Sequence, residues 1–232
     1  MNKKINLRQL KKAKTKLLLL KTAKKHAGEE GLKELHIEDL CREAEVSKVT
    51  FFNYFSQKEE LFNYYMAIWG FERAVDQLLK PLHGLDGLRR IFYRAADDAS
   101  EHPGMFLSLI RFLASEASCP RVPALTEAER HVLTDGREVS ETELPHLYEQ
   151  FQHFTKEAQQ TGEMRADVPV SHLVHLILTI FYGAFLTAHT CGISDRKAYY
   201  DMHLQLLLPP SQKPEGEADF SPYWNTTYGK NS

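Results

Sequence analysis

The stretch VSKVTFFNYFSQKEELF, Val46 to Phe62, decides the reading of this chain. Between Lys48 and Lys58, residues Phe51, Phe52, Tyr54 and Phe55 put four aromatic rings into five positions. On a helix, Phe51 and Phe55 are i, i+4 and share a face with Val46 and Leu61, which marks them as core. Tyr54 falls on a different side, near Lys58, and is the better placed ring for contact with a partner. Phe52 lies three residues before Phe55, at the edge of the core face, and its role stays open between core and contact.

Working outward, a short helix is predicted over Ile37 to Glu43, turning Ile37, Leu40, Cys41 and Ala44 inward. A four-residue connection, Ala44-Glu45-Val46-Ser47, leads to a helix predicted from Lys48 to Phe55. A longer basic helix precedes both, from about Arg8 to Ala27, with Gly28 and Gly31 as its terminators. Two short helices after a longer one is the layout of a helix-turn-helix DNA reader, with Lys48–Phe55 as the recognition helix. Its size fits, because the major groove is about 12 Å wide and admits one α-helix. Ser56-Gln57-Lys58-Glu59 reads as a capping box that starts a fourth helix at Gln57. Lys58 would then sit in a first turn whose free N–H groups and dipole favour an anion, so phosphate is the partner that explains a lysine there.

These residues resemble the TetR-type transcriptional regulators. The likeness runs from about Leu19 to Leu61: an apolar pair, Ala23, Gly31, Ile37, Leu40-Cys41, then Ala44-x-Val46-Ser47-x-x-Thr50-x-Phe52-x-Tyr54-Phe55-x-x-Lys58-Glu59-x-Leu61. The resemblance implies a dimeric, sequence-specific DNA-binding regulator, more often a repressor, whose contacts to DNA fall on His36, Ser47, Lys48, Val49, Thr50, Phe52, Asn53, Tyr54 and Lys58. Thr50, Tyr54 and Lys58 match the family's usual residues. Phe52 stands where a tyrosine is usual, so it can offer an apolar contact, such as to a thymine methyl, in place of a hydrogen bond. Glu45 stands at the usual turn glycine, at a cost of about 1 kcal/mol if that position is left-handed. Leu35-His36 replaces threonines at the start of the second helix, and Val49 replaces a small residue.

Beyond this segment apolar residues recur at helical spacing nearly throughout, so the fold class is all-α: an N-terminal three-helix helix-turn-helix domain plus a larger helical ligand-binding and dimerisation domain. The expected division is residues 1–60 for the DNA-binding domain with its basic arm, 61–208 for the effector and dimer domain, and 209–232 for a Pro/Gly-rich tail with little order. Further helices are predicted over Gln57–Leu79, Leu88–Glu101, Gly104–Ala117, Thr126–Leu133, Glu141–Thr161, Pro169–Thr190 and Asp195–Leu208. Capping boxes at Thr126–Glu129 and Ser140–Glu143 and a terminating Gly162 mark three of these ends.

Charge supports two parts with different partners. The net charge of -2 splits into +5 over residues 1–60 (14 Lys+Arg against 9 Asp+Glu) and -7 over the rest (15 against 22). The first 26 residues carry ten Lys+Arg and no acid, a footprint for phosphate that a solvated helix end could also leave. Cys41, Cys119 and Cys191 show no metal or redox spacing, which points to a reducing, cytoplasmic setting. There is no Gly-rich phosphate loop, no H-E-x-x-H and no nucleophile elbow, so the chain reads as a binding protein and not an enzyme, with no cofactor. His172 and His175, i, i+3 on one helix, make a metal site conceivable, but hydrogen bonding is the ordinary use of such histidines and no metal is assigned.

A homodimer needs a face that holds two recognition helices about 34 to 36 Å apart. Leu173, Leu176, Ile177, Ile180 and Ala184, with Tyr199, Met202 and Leu206, supply an apolar one on the last two long helices, where the family also dimerises. Tyr65, Trp69, Phe92, Phe106, Phe151, Phe154 and Phe181 could line a cavity for a small hydrophobic or amphipathic effector, as the resemblance implies, or could simply be core. Val168–Ile193 holds no charged residue; it reads as a helix buried against protein, a membrane span being the lesser reading. The rival to a DNA-binding regulator is a helical protein-interaction module whose helix-turn-helix has lost DNA.

Overall fold

The computed structural model describes residues 5–27, 36–115, 122–137 and 145–209. Among them every regular element is helical: α1 (Leu7–His26), α2 (Ile37–Glu43), α3 (Lys48–Phe52), α4 (Glu60–Leu79), α5 (Gly84–Glu101), α6 (Pro103–Ser115), α7 (Glu127–Leu133), α8 (Leu147–Gln160), α9 (Val170–Thr190) and α10 (Arg196–Leu204), closed by a 3-10 turn at Gln205–Leu207. The all-α expectation holds. The chain divides into two compact units, one of Met1–Val75 with Ala99–Pro145, the other of Asp76–Asp98 with His146–Ser232.

In the first unit α1 begins at a capping box: Asn6 Oδ1 accepts from the Gln9 N–H and Gln9 Oε1 accepts from the Asn6 N–H, both at 2.9 Å. Its inner face is Ala13, Leu19, Leu20 and Ala23, and Lys24, Lys25 and His26 close it where the helix dipole favours cations. The glycines expected to end it, Gly28 and Gly31, lie outside the described residues. Helix α2 has the predicted bounds and buries Leu40 and Cys41.

The start of α4 corrects the sequence reading. No box forms between Ser56 and Glu59; instead the Ser56 N–H and Oγ–H both donate to the carboxylate of Glu60, each at 2.7 Å. The backbone enters the helix through three i+3 bonds, ending with Phe62 N–H to Glu59 O at 2.9 Å. Two glutamates follow in tandem, the spacing rule selects the first, and the chain uses the second, so α4 starts three residues later than predicted. The recognition helix α3 is likewise shorter, ending at Phe52 with Asn53 as its cap. Helix α7 keeps its predicted box, Thr126 with Glu129.

In the second unit, Phe92, Phe151, Phe181 and Tyr200 meet largely edge to face at centroid distances of 4.9 to 6.0 Å, the arrangement aromatic quadrupoles prefer. The Tyr200 hydroxyl is satisfied within this core by the Phe181 carbonyl at 2.9 Å. Phe154 fills the space beside Gly87, where any Cβ would lie 2.4 Å from the ring. Helix α5 starts at Gly84, four residues earlier than predicted, because its first N–H groups are capped from far along the chain: Gly84 N–H by Glu157 and Leu85 N–H by Glu163, each at 3.1 Å. Helix α8 starts at Leu147, six residues later than predicted, with His146 extended as its N-cap; the box expected at Ser140–Glu143 lies outside the described residues. Helix α10 has its predicted cap, Asp195.

Helix α9 is long and apolar enough to cross a membrane by length and composition. Its Leu173, Val174, Ile177, Ile180, Phe181, Ala184, Phe185 and Ala188 are nevertheless buried, on the side packed against α8 and α10. The tail from residue 210 lies outside the described residues.

Candidate nucleic-acid interface

The turn between α2 and α3 is a Schellman closure. Glu45 N–H donates to Arg42 O at 3.3 Å and Val46 N–H reaches back to Cys41 O at 2.9 Å, the paired bonds that require the residue between them to be left-handed. That residue is Glu45, with φ of +53°, so the condition attached to the missing glycine is met. We expect Glu45→Gly to stabilise the fold by about 0.5 to 1 kcal/mol, the relief of roughly 1 to 2 kcal/mol of left-handed cost less the roughly 0.4 to 1 kcal/mol of extra freedom glycine brings to the unfolded chain. A urea midpoint that falls would contradict this account of the turn.

Ser47 caps α3: its Oγ accepts from the Thr50 N–H at 3.1 Å and lies 2.9 Å from Thr50 Oγ1. Phe51 faces inward, fully buried, and Phe55 stacks 5.5 Å from it and 5.5 Å from Tyr64 of α4. This ladder of rings bolts the short helix to the core and turns its other side to solvent. On that side Val49 is 70% exposed and Phe52 48% exposed, and Lys48 and Asn53 are exposed as well. Phe52, left open by the sequence, is thus outward, held edge-on against Phe51 at 5.4 Å. Tyr54 is half-buried, with Lys12 of α1 5.6 Å above its ring.

One residue of the expected contact set, Lys58, differs from its expected setting. Lys58 is half-buried in the turn before α4 and not at the helix's second residue, because α4 starts late. His36 is exposed and caps α2 without a side-chain hydrogen bond, as loss of a threonine there implies. Lys48 forms an ion pair with Glu38, and this bond holds the Glu38 carboxyl below its ordinary range. Glu43 is held low in the same way, by Lys25 first and His26 second.

Of the basic arm, Arg8, Lys11, Lys12, Lys14 and Lys21 are exposed along α1, while Lys3 and Lys4 lie outside the described residues. Lys16 is different: its Nζ is 2.6 Å from Glu129 of α7 and 4.0 Å from the Tyr64 ring centroid. Nothing in the local sequence signals this pairing. Beside it lies a cleft of about 300 Å³ between α1 and α7, lined by Gln9, Lys12, Ala13 and Lys16 and by Thr126 to Glu129.

The expected effector residues fall in both units. Tyr65, Trp69 and Phe106 are buried in the first, with Lys24 over Tyr65 and Arg73 over Trp69. Phe92, Phe151, Phe154 and Phe181 are core of the second, three of them in the ring cluster already described. The expected dimer residues divide between the inside and the outside of their own unit. Leu173, Ile177, Ile180, Ala184 and Tyr199 are buried within their own unit, leaving Leu176 (44% exposed) and Leu206 (48% exposed), with Met202 half-buried. The most apolar stripe of α9 is used up by its own chain; the stripe left outward is His172, Leu176, Thr179, Gly183 and Leu186. Gly183 is open, with nothing near the place of a Cβ. Among the described residues no three His, Cys, Asp or Glu gather as metal ligands.

Residues 19–65 match the model described as bacterial regulatory proteins, tetR family. The fold is similar to that of Escherichia coli NemR in its reduced form, with a TM-score of 0.53, 14% identity and coverage of 86% of this chain and 99% of that one. Salmonella enterica GusR gives 0.52 at 18% identity, over 84% and 95%. The TetR family protein CprB of S. coelicolor A3(2) gives 0.50 at 16%, over 88% and 93%. No curated protein matches the chain by sequence.

Proposed function

Taking as premise that the chain is a TetR-type regulator, with its helix-turn-helix domain in residues 19–65, we propose that it is a homodimeric repressor whose operator affinity is set by a small hydrophobic or amphipathic effector. In this reading residues 1–60 bind DNA and residues 61–208 carry the effector and dimer contacts. The observation that carries it is the short helix α3, fastened inward by Phe51 and Phe55 and presenting Val49, Phe52 and Asn53 to solvent, with Lys12 of α1 over the nearby Tyr54 ring. An α-helix so exposed and so anchored can enter a major groove without unfolding anything. Tyr54 and Lys58 position it, the latter by contact with phosphate, and Thr50 reads bases.

The outward stripe of α9, without Asp, Glu, Lys or Arg and with Gly183 open on it, supports close helix approach between two copies. The effector acts by favouring one spacing of the two α3 helices over another. The chain works by binding, in the cytoplasm, and carries out no catalysis. A protein-interaction role has one observation in its favour, the Glu38 carboxylate that already occupies Lys48.

Selection of binding sites from random duplex DNA, followed by titration at several salt concentrations, separates the two readings. A regulator shows a preferred palindrome and an affinity that falls steeply with salt, as displaced counterions require. Lys58→Ala should weaken all sequences alike and reduce the salt slope by about 1, whereas Thr50→Ala should change preference at particular bases. Absence of both sequence preference and salt dependence would end the regulator reading. Repression is checked by transcription from a template carrying the selected site across its promoter.

A further inference from the structure

We propose that Val49 and Phe52 read the 5-methyl groups of thymines in the operator's major groove, so that at these positions the site is specified by apolar contact. The proposal rests on the DNA-binding reading above and deepens it. Two of the polar groups of α3 already have partners within the protein, Thr50 Oγ1 2.9 Å from Ser47 Oγ and Lys48 ion-paired to Glu38. The helix also presents Val49, 70% exposed, and Phe52, 48% exposed. They are i, i+3 and so share a face. Neither is buried in the core, so both are available to an apolar group of a partner.

The major groove contains one apolar group for such a surface to meet, the C5-methyl of thymine. The pair is ready for it. Phe52 is fixed edge-on against the buried ring of Phe51 at 5.4 Å, so little side-chain freedom is lost on contact, and Val49 is stiff at χ1 by β-branching. The surroundings favour duplex DNA over an apolar protein partner, since Lys12 lies over the neighbouring Tyr54 ring and the first 60 residues carry a net +5. Three residues of helix rise about 4.5 Å, against about 3.4 Å per base step. The two methyls therefore belong to thymines one or two steps apart, on the same or opposite strands.

The test uses the site selected from random duplex DNA and replaces each thymine in turn by deoxyuridine, which removes the methyl and keeps the pairing. At constant salt, the full chain should lose affinity about fourfold at two neighbouring positions per half-site, the worth of one buried methyl at ~0.8 kcal/mol. Phe52→Ala should lose the penalty at one position and Val49→Ala at the other, with the salt slope unchanged; both residues are exposed, and circular dichroism checks that helix content is kept. Phe52→Leu, apolar but smaller, should keep part of the penalty. Tight, sequence-selective binding with no uracil penalty anywhere, or alanine variants that keep the full penalty, would overturn the proposal and leave the DNA-binding reading standing. Failure to select any site would remove that reading, and the proposal with it, and leave the apolar pair to a protein partner.

Discussion

Glu129→Gln lowers the stability of the fold by about 3 kcal/mol, at the lower end of what breaking a buried ion pair costs. Glutamine keeps the size of the side chain and its ability to close the box with Thr126, so the loss isolates the charge. In the native chain Glu129 is 1% exposed and takes three bonds: one from Lys16 Nζ at 2.6 Å, and two, at 2.7 Å, from the N–H and hydroxyl of Thr126. Lys16 in turn rests on the Tyr64 ring. Once the carboxylate is neutral, the Lys16 ammonium is left largely desolvated with no counter-charge. Lys16→Met in the same background should recover most of the loss, because an apolar side chain suits that position without a partner. Urea unfolding of the two single variants and the double variant measures the coupling; additive losses would show that the pair does not act as one.

The same pair sets an acid response. Burial alone would raise the Glu129 pKa, but the bonds from Lys16 and Thr126 outweigh it and the net shift is downward from 4.5. A carboxylate with a lowered folded pKa stabilises fully above its unfolded value and loses that contribution as pH falls through the folded one. The wild-type chain should therefore lose more stability than Glu129→Gln on acidification below about pH 4.5. Equal losses would mean that the carboxylate is not held low. Structurally, the pair fastens α1, which precedes α2 and α3, to α7, which lies outside the matched segment.

Phe92→Ala should cost about 3 to 5 kcal/mol, the usual range for removing a fully buried ring from a close-packed core. The side chain is wholly inaccessible and touches the rings of Phe151, Phe181 and Tyr200 at 6.0, 5.4 and 4.9 Å. Tyr200 is tied by its hydroxyl to the Phe181 backbone, so the cluster cannot collapse freely onto the gap. The apolar cavity left should bind a small aromatic such as benzene, visible as a rise in the variant's melting temperature with benzene and none in the wild type. A loss below about 1 kcal/mol would mean that these rings do not fill their space. It would also make them stronger candidates for an effector site than their present packing suggests.

How much was legible depended on whether the deciding partner was near in sequence. The ends of α2, the box at Thr126 and the core places of Phe51 and Phe55 are legible in the sequence, because each depends on residues within one helical turn. Glu45 was legible as a problem, and only the backbone angle turned it into a left-handed residue. At Ser56 the local rule misled: two adjacent glutamates satisfy it almost equally, and the chain's path to a buried Leu61 and Phe62 selected the second. For α9 the period of apolar residues is legible, but not which surface the stripe meets. A stripe of Leu173, Ile177, Ile180 and Ala184 looks the same whether it meets a second copy or its own α8 and α10.

The amino-acid order by itself determined the helical class, the helix-turn-helix, and the inward side of the recognition helix, since side-chain spacing along 3.6 residues per turn is a property of the local chain. Tertiary structure decided what could be paired only by folding: the cap of α5 by a glutamate 73 residues away, the Lys16–Glu129 pair across 113 residues, and the outward turn of Phe52. Such partners obey no spacing rule. They are chosen by which surfaces burial brings together, and burial is a property of the whole chain.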